Sequence, residues 1–178
     1  MSAYLGMEEN YLTMDPLNNK KIRLKDVILG GQDGLVNVLG ISLGLFAAHA
    51  PTRIILIAGL AAGFSEAVSM GAVAFTSARA DKEIVRQKTT NALIFSSFIV
   101  FSSALIGSLA PLIPFLFFPI MYSIVIALFI GASILFILGF TNARQMGNNK
   151  IRGGSEILLI GFISAFAGFA IGLLLKVN

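Results

Sequence analysis

Four side chains have the types and spacing to act together: Asp33 and Asn37, one helical turn apart, and Glu66 and Met70, again one turn apart. A spacing of four puts each pair on one helix face. Asp33 and Glu66 offer hard anionic oxygens, Asn37 a neutral amide oxygen and Met70 a soft thioether. That mixture suits a borderline divalent ion such as Fe(II) or Mn(II), whereas calcium and magnesium favour all-oxygen shells. The carboxylates can also take up protons once a cation leaves, so one site could serve both halves of an exchange cycle. Plainer readings stand beside this one: Met70 as a core filler, Asn37 as an interhelical hydrogen-bond donor, and the acids as partners of a snorkelling lysine. The nearest basic residues, Lys25 and Arg79, lie at the edges of the apolar runs that contain the acids.

The chain that carries these residues is not composed like a soluble domain. Of its 178 residues, 56% are hydrophobic and 12% charged, about half the charged share of a typical globular domain, and the mean hydropathy is +0.86. There is no cysteine and one histidine, His49. Disulfides, thiolate metal sites, a cysteine nucleophile and a multi-histidine site within one chain are therefore excluded. No nucleophile constellation is present, and an enzyme is not expected. The net charge of +4 sits in short connections between apolar runs, which points to membrane orientation rather than nucleic acid.

A helix needs roughly 20 apolar residues to cross the hydrocarbon. Five runs qualify, at about 27–48, 54–78, 92–109, 120–140 and 157–175. Pro111, Pro114 and Pro119 divide what would otherwise be one block from Ala92 to Phe140, because proline stops helix propagation; a turn buried in the membrane or at its interface follows. Lys20, Lys21, Arg23 and Lys25 precede the first run, Arg79, Lys82, Arg86 and Lys88 follow the second, and Arg144, Lys150 and Arg152 follow the fourth. The opposite flanks hold only Arg53 and Lys176. The positive-inside bias predicts a cytoplasmic N-terminus and an extracytoplasmic C-terminus.

At helical rise, Asp33 lies about 9 Å inside the first span and Asn37 about 15 Å, while Met70 and Glu66 lie roughly 12 and 18 Å inside the antiparallel second span. Asp33 is thus expected opposite Met70, and Asn37 opposite Glu66. Asp26 falls at the cytoplasmic mouth, where helix capping or a surface ion pair competes with a role as entrance ligand. His49 reads as a solvated turn residue or a proton acceptor on an exit path. Gly40 and Gly44, Gly59 and Gly63, and Gly168 and Gly172 repeat at the spacing that lets helices pack closely, while Gly30 and Gly31 beside Asp33 could pack or loosen the first span. The first nineteen residues hold Glu8, Glu9 and Asp15 but no Lys or Arg, unlike a signal peptide. Residues 1–24 read as a cytoplasmic tail, in which Tyr4, Leu5, Met7, Tyr11, Leu12 and Met14 could form an interfacial face.

Asp26-Val27-Ile28-Leu29-Gly30-Gly31-Gln32-Asp33-Gly34-Leu35 and Ser69-Met70-Gly71 resemble the vacuolar iron transporter family, and so do Leu109-Ala110-Pro111-Leu112-Ile113-Pro114-Phe115 and a last span with Glu156, Gly161, Ala165 and Gly172. The resemblance runs from Lys25 to the C-terminus. It implies a homodimer of five-span protomers that exports Fe(II) and related metals in exchange for protons, with Asp33 and Met70 lining the path near the dimer axis and Asp26 at its mouth. Three departures stand out. Val73-Ala74-Phe75 replaces the family's Gly-Glu-Tyr, with Glu66 instead one turn before Met70; Ile22 stands where the family has an acid; and the connection from Arg79 to Asn91 is too short and too basic for the family's glutamate-rich metal-binding insert. Within the second span, the stretch Ser65 to Ser77 is most similar to members fused to a ferritin-like domain.

The expectation is an all-α, five-span transporter domain at 25–178, with no permanently bound cofactor. It would export Fe(II), with Mn(II) as a second substrate, against protons across a prokaryotic plasma membrane, an organellar membrane being the other option. Asp33, Met70, Glu66 and Asn37 would hold the metal, and Asp33 and Glu66 would couple protons. The rival readings are a passive cation channel and a non-transporting scaffold for a ferritin-like partner.

Overall fold

The structure, a computed structural model, describes residues 16–85 and 90–175. The tail residues Tyr4 to Met14, the loop residues Arg86 and Lys88, and Lys176 lie outside these. Every regular element among the described residues is helical: α1 (Pro16–Ala47), α2 (Thr52–Val85), α3 (Thr90–Leu109), the short α4 (Pro114–Phe117), α5 (Ile120–Gln145) and α6 (Lys150–Leu174). Five stretches are long and apolar enough to cross a membrane: Leu24–Ala47, Thr52–Ala80, Leu93–Phe117, Ile120–Gln145 and Lys150–Leu174. Their outward surfaces expose Ile106, Phe129, Phe166 and many other large apolar side chains, as lipid requires and water would not tolerate. The chain is an integral membrane protein.

Two limits differ from those read off the sequence. Helix α1 begins at Pro16, well before the apolar run, because proline at the first helical position forfeits no hydrogen bond. The third span continues past Leu109 through a 3-10 turn, Ala110–Leu112, into α4. Pro111 and Pro114 open these short helices, where a missing N–H is again no loss. Backbone bonds serve two carbonyls of this turn, Pro114 accepting from Phe118 N–H at 2.9 Å and Pro119 from Ser123 N–H at 3.0 Å. The buried Ser123 Oγ lies 3.0, 2.8 and 3.1 Å from the Pro114, Phe118 and Pro119 oxygens, and its one proton serves one of them at a time.

Helix α1 is the hub, in contact with α2, α3, α5 and α6. Leu35, Leu39 and Leu43, four residues apart on one face, enter a core with Ile124, Ala127 and Leu135 of α5 and Ile157 and Ala165 of α6. Its other faces close through glycine. A Cβ on Gly34 would strike the Ala104 carbonyl of α3, and one on Gly44 would lie 2.8 Å from the Gly168 oxygen of α6. Gly30 likewise has no room against Val100 and Ser103, so it packs rather than loosens the helix, whereas Gly31 has only ordinary contacts at 3.7 and 3.8 Å. The chain reverses after α1 with His49 at φ 60° and Ala50 N–H donating to the Leu45 carbonyl at 2.9 Å, a left-handed helix stop usually made by glycine.

These contacts predict opposite effects for two conservative changes. Gly172→Ala drives a methyl into the Gly44 carbonyl and should destabilise by about 1–3 kcal/mol, whereas Gly31→Ala should be neutral or stabilising by up to about 1 kcal/mol. Thermal unfolding of both purified variants in one detergent checks this; equal midpoints would contradict the packing.

Candidate metal site at the flank of the first span

Helix α1 leaves one flank uncovered, between α2 and α6. Asp33 and Asn37 lie on it, Asp33 exposed and Asn37 half-buried in the single chain. Across from them, α2 packs on α3 through Gly59, Gly63, Ala67 and Gly71: a Cβ on Gly63 would meet Ser108, and one on Gly71 would lie 3.1 Å from the Phe101 Cβ, while Ala67 is wholly buried. That face fixes the rotation of α2. Glu66 and Met70, each one residue before a position of that face, are half-buried, and Glu66 meets α1 at Asn37.

Asn37 Nδ2 donates to Glu66 Oε2 at 2.8 Å, joining the two residues that depth counting had set opposite each other. Asp33 lies one turn before Asn37 on the same face of α1, near enough to Glu66 for the two carboxyls to feel each other's charge. Met70 lies on the same face of α2, one turn from Glu66 toward the end bearing Lys25 and Arg79. The described residues contain no group of three or more His, Cys, Asp or Glu able to hold a metal.

Asp26, two turns before Asp33, stands apart from this cluster. It is half-buried and accepts a hydrogen bond from Ser96 Oγ of α3, a partner seventy residues away that sequence spacing did not reveal. The doublet Ser96-Ser97 at the start of a strongly apolar run was the available signal. His49 is exposed in the reversal after α1. Toward the His49 end of α1, Asn37 stands at one end of a groove of about 500 Å³ between α1 and α6, continued by Ile41, Gly44, Ala48, Ala167 and Ile171. Its walls are mostly small or apolar, and Ser164 adds a polar side chain.

The cluster can do two things. Adjacent carboxylates repel when both are charged, and either a divalent cation or a proton between them removes the repulsion. The amide of Asn37 fixes one of them by a bond that a cation could replace with its own.

Comparison with known proteins places this geometry in a family. The VIT family profile matches residues 24–93 and 87–173, two segments that meet at the connection between α2 and α3. Vacuolar iron transporter 1 of Eucalyptus grandis is 24% identical, covering 82% of this chain and 84% of its own; its namesake in Arabidopsis thaliana is also 24% identical, covering 83% and 84%. An uncharacterized protein of Methanocaldococcus jannaschii is 27% identical over 74% of this chain and 79% of its own. The plant alignments span 208 and 214 positions, more than the 178 residues here, so those proteins carry segments without a counterpart in this chain. With both matched segments together covering all five spans, the chain belongs to the VIT family.

Proposed function

We propose that this protein is a transporter, not an enzyme, which exports Fe(II), with Mn(II) as a second substrate, from the cytosol in exchange for inward-moving protons. The observation that carries the reading is the bond from Asn37 to Glu66, with Asp33 one turn away on the same face of α1, which sets two acids close together within apolar spans. Carboxylates in hydrocarbon are costly by about 3 to more than 10 kcal/mol, depending on the method, and mark ion or proton pathways. Relatives from plants bear the name vacuolar iron transporter, which supports iron as the metal.

In this reading the metal arrives from the basic end of the bundle, past Asp26. Met70 supplies the thioether that favours a transition metal over calcium. Asp33 and Glu66 bind the ion, and Asn37 gives up its hydrogen bond to Glu66 and turns its amide oxygen toward the metal. Release into the groove between α1 and α6 leaves two adjacent carboxylates, which protons from the outer side then neutralise; those protons move inward as the next metal displaces them. The exposed Asp33 supports a homodimer: a carboxylate facing lipid is unfavourable, and a second copy across this flank would cover it and double the donor set to four carboxylates, two amides and two thioethers. The basic flanks support a cytosolic N-terminus, and the location proposed is a prokaryotic plasma membrane.

The test is flux into proteoliposomes loaded with a pH-sensitive dye. The wild type should move Fe(II) and Mn(II) with counterflow of protons and respond to an imposed pH gradient. Asp33→Ala should lower flux by at least about tenfold, the effect of losing roughly 1.4 kcal/mol of binding. Glu66→Gln should keep residual metal flux but lose its dependence on the gradient. Gradient-independent flux in the wild type would identify a channel, and none from a folded dimer would favour a scaffold.

A second expected outcome concerns the thioether. Met70→Leu conserves volume and removes sulfur, so it should reduce Fe(II) flux while leaving folding unchanged, and narrow the preference for Fe(II) over Ca(II). Competition between the two ions in the same liposomes reads this; an unaltered preference would assign Met70 to packing alone.

A further inference from the structure

The hairpin of α5 and α6 opens a second polar cavity, at the basic end of the bundle and away from the carboxyl cluster. Near that end the two helices touch backbone to backbone, since a Cβ on Gly139 would strike the Gly153 carbonyl. Beyond the contact they enclose a cavity of about 400 Å³. Its floor includes Ala143 and Ile157, and its polar wall is Asn142, Asn148, Asn149, Arg152 and Glu156.

The chemistry of this wall selects the sign of a ligand. Glu156 Oε1 accepts from Arg152 Nε at 2.9 Å, so the one carboxylate is already neutralised, and the outer guanidinium edge of Arg152 remains free of that bond. The Asn149 carbonyl oxygen is occupied in accepting from the Ile151 and Arg152 backbone at 3.1 and 3.4 Å, which leaves its amide N–H groups as donors. Asn142 and Asn148 form no side-chain hydrogen bond with another described residue. Lys150 and Arg144 flank the cavity in sequence and add positive charge. A cation would meet a compensated carboxylate and a local excess of basic groups. An anion would meet amide donors and a guanidinium, the fork that binds phosphate in two places.

The position narrows the ligand further. The cavity lies where α5 ends and α6 begins, at the limit of two spans, the depth of lipid headgroups. It joins an apolar floor to a polar rim, and basic pockets between spans at this depth suit phosphate-bearing headgroups. We propose that the cavity binds a phosphate group, with Arg152 as its charged partner and Asn142 and Asn148 as neutral donors.

The experiment titrates the full chain in detergent with phosphatidylglycerol, phosphatidylcholine or inorganic phosphate, and reads thermal stabilisation and lipid adducts by native mass spectrometry. Arg152→Gln should weaken the phosphate-bearing ligand about tenfold, from the loss of charge-assisted hydrogen bonds. Glu156→Gln should strengthen it by releasing the guanidinium, a sign that a damaged fold would not give. Stabilisation by phosphatidylglycerol but not by millimolar inorganic phosphate assigns the site to a lipid headgroup; stabilisation by both, with the same response to the variants, assigns it to a soluble phosphate. Failure of every ligand, indifference of binding to both variants, or Mn(II) binding that Glu156→Gln abolishes would each overturn the proposal. None of these readouts depends on metal flux, so the transport reading and this one stand or fall separately.

Discussion

The architecture depends on how closely α1 approaches its neighbours. In lipid the hydrophobic effect does not hold helices together, and contact rests on packing between surfaces that fit. Here the fit is made by backbone meeting backbone: Gly34 against the Ala104 carbonyl on one side, Gly44 against the Gly168 carbonyl on another. With these faces closed, and Leu35, Leu39 and Leu43 committed to the core, one flank of α1 is left for polar side chains. Asp33 and Asn37 occupy it. The same principle holds α2 against α3 and aims Glu66 at that flank, so the cluster follows from where glycines are placed on three helices.

Part of this was legible in the residues. The five apolar runs, the prolines that divide the third from the fourth, and the spacing of four between Asp33 and Asn37 are one-dimensional signals. Counting 1.5 Å per residue from opposite ends of two antiparallel helices set Asn37 beside Glu66, and the structure joins them at 2.8 Å. Depth along an axis does not give rotation about it. Rotation decides which side chains at one depth face each other. Rotation was set by the α2 to α3 contact, which involves residues some forty positions apart. The bond from Ser96 to Asp26 and the convergence of three turn carbonyls on Ser123 were hidden for the same reason: serine is common in apolar helices, where it bonds to its own preceding turn as Ser97 and Ser108 do.

Family membership and geometry bear on different questions. The VIT profile covers the spans, and the identity of about a quarter with plant iron transporters fits a conserved helical frame. The geometry adds what a profile does not: which side chains meet, as Glu66 and Asn37 do at 2.8 Å.

The reversal between α1 and α2 takes only the four residues 48–51. A left-handed stop at His49, with Ala50 N–H bonded to the Leu45 carbonyl at 2.9 Å, ties the two helices together at that end. Any change in the distance between α1 and α2 must therefore be smallest beside His49 and grow toward the opposite end, where Asp26 and Arg79 stand. The hydrogen bond from Asn37 to Glu66 thus spans the part of the pair that is free to widen.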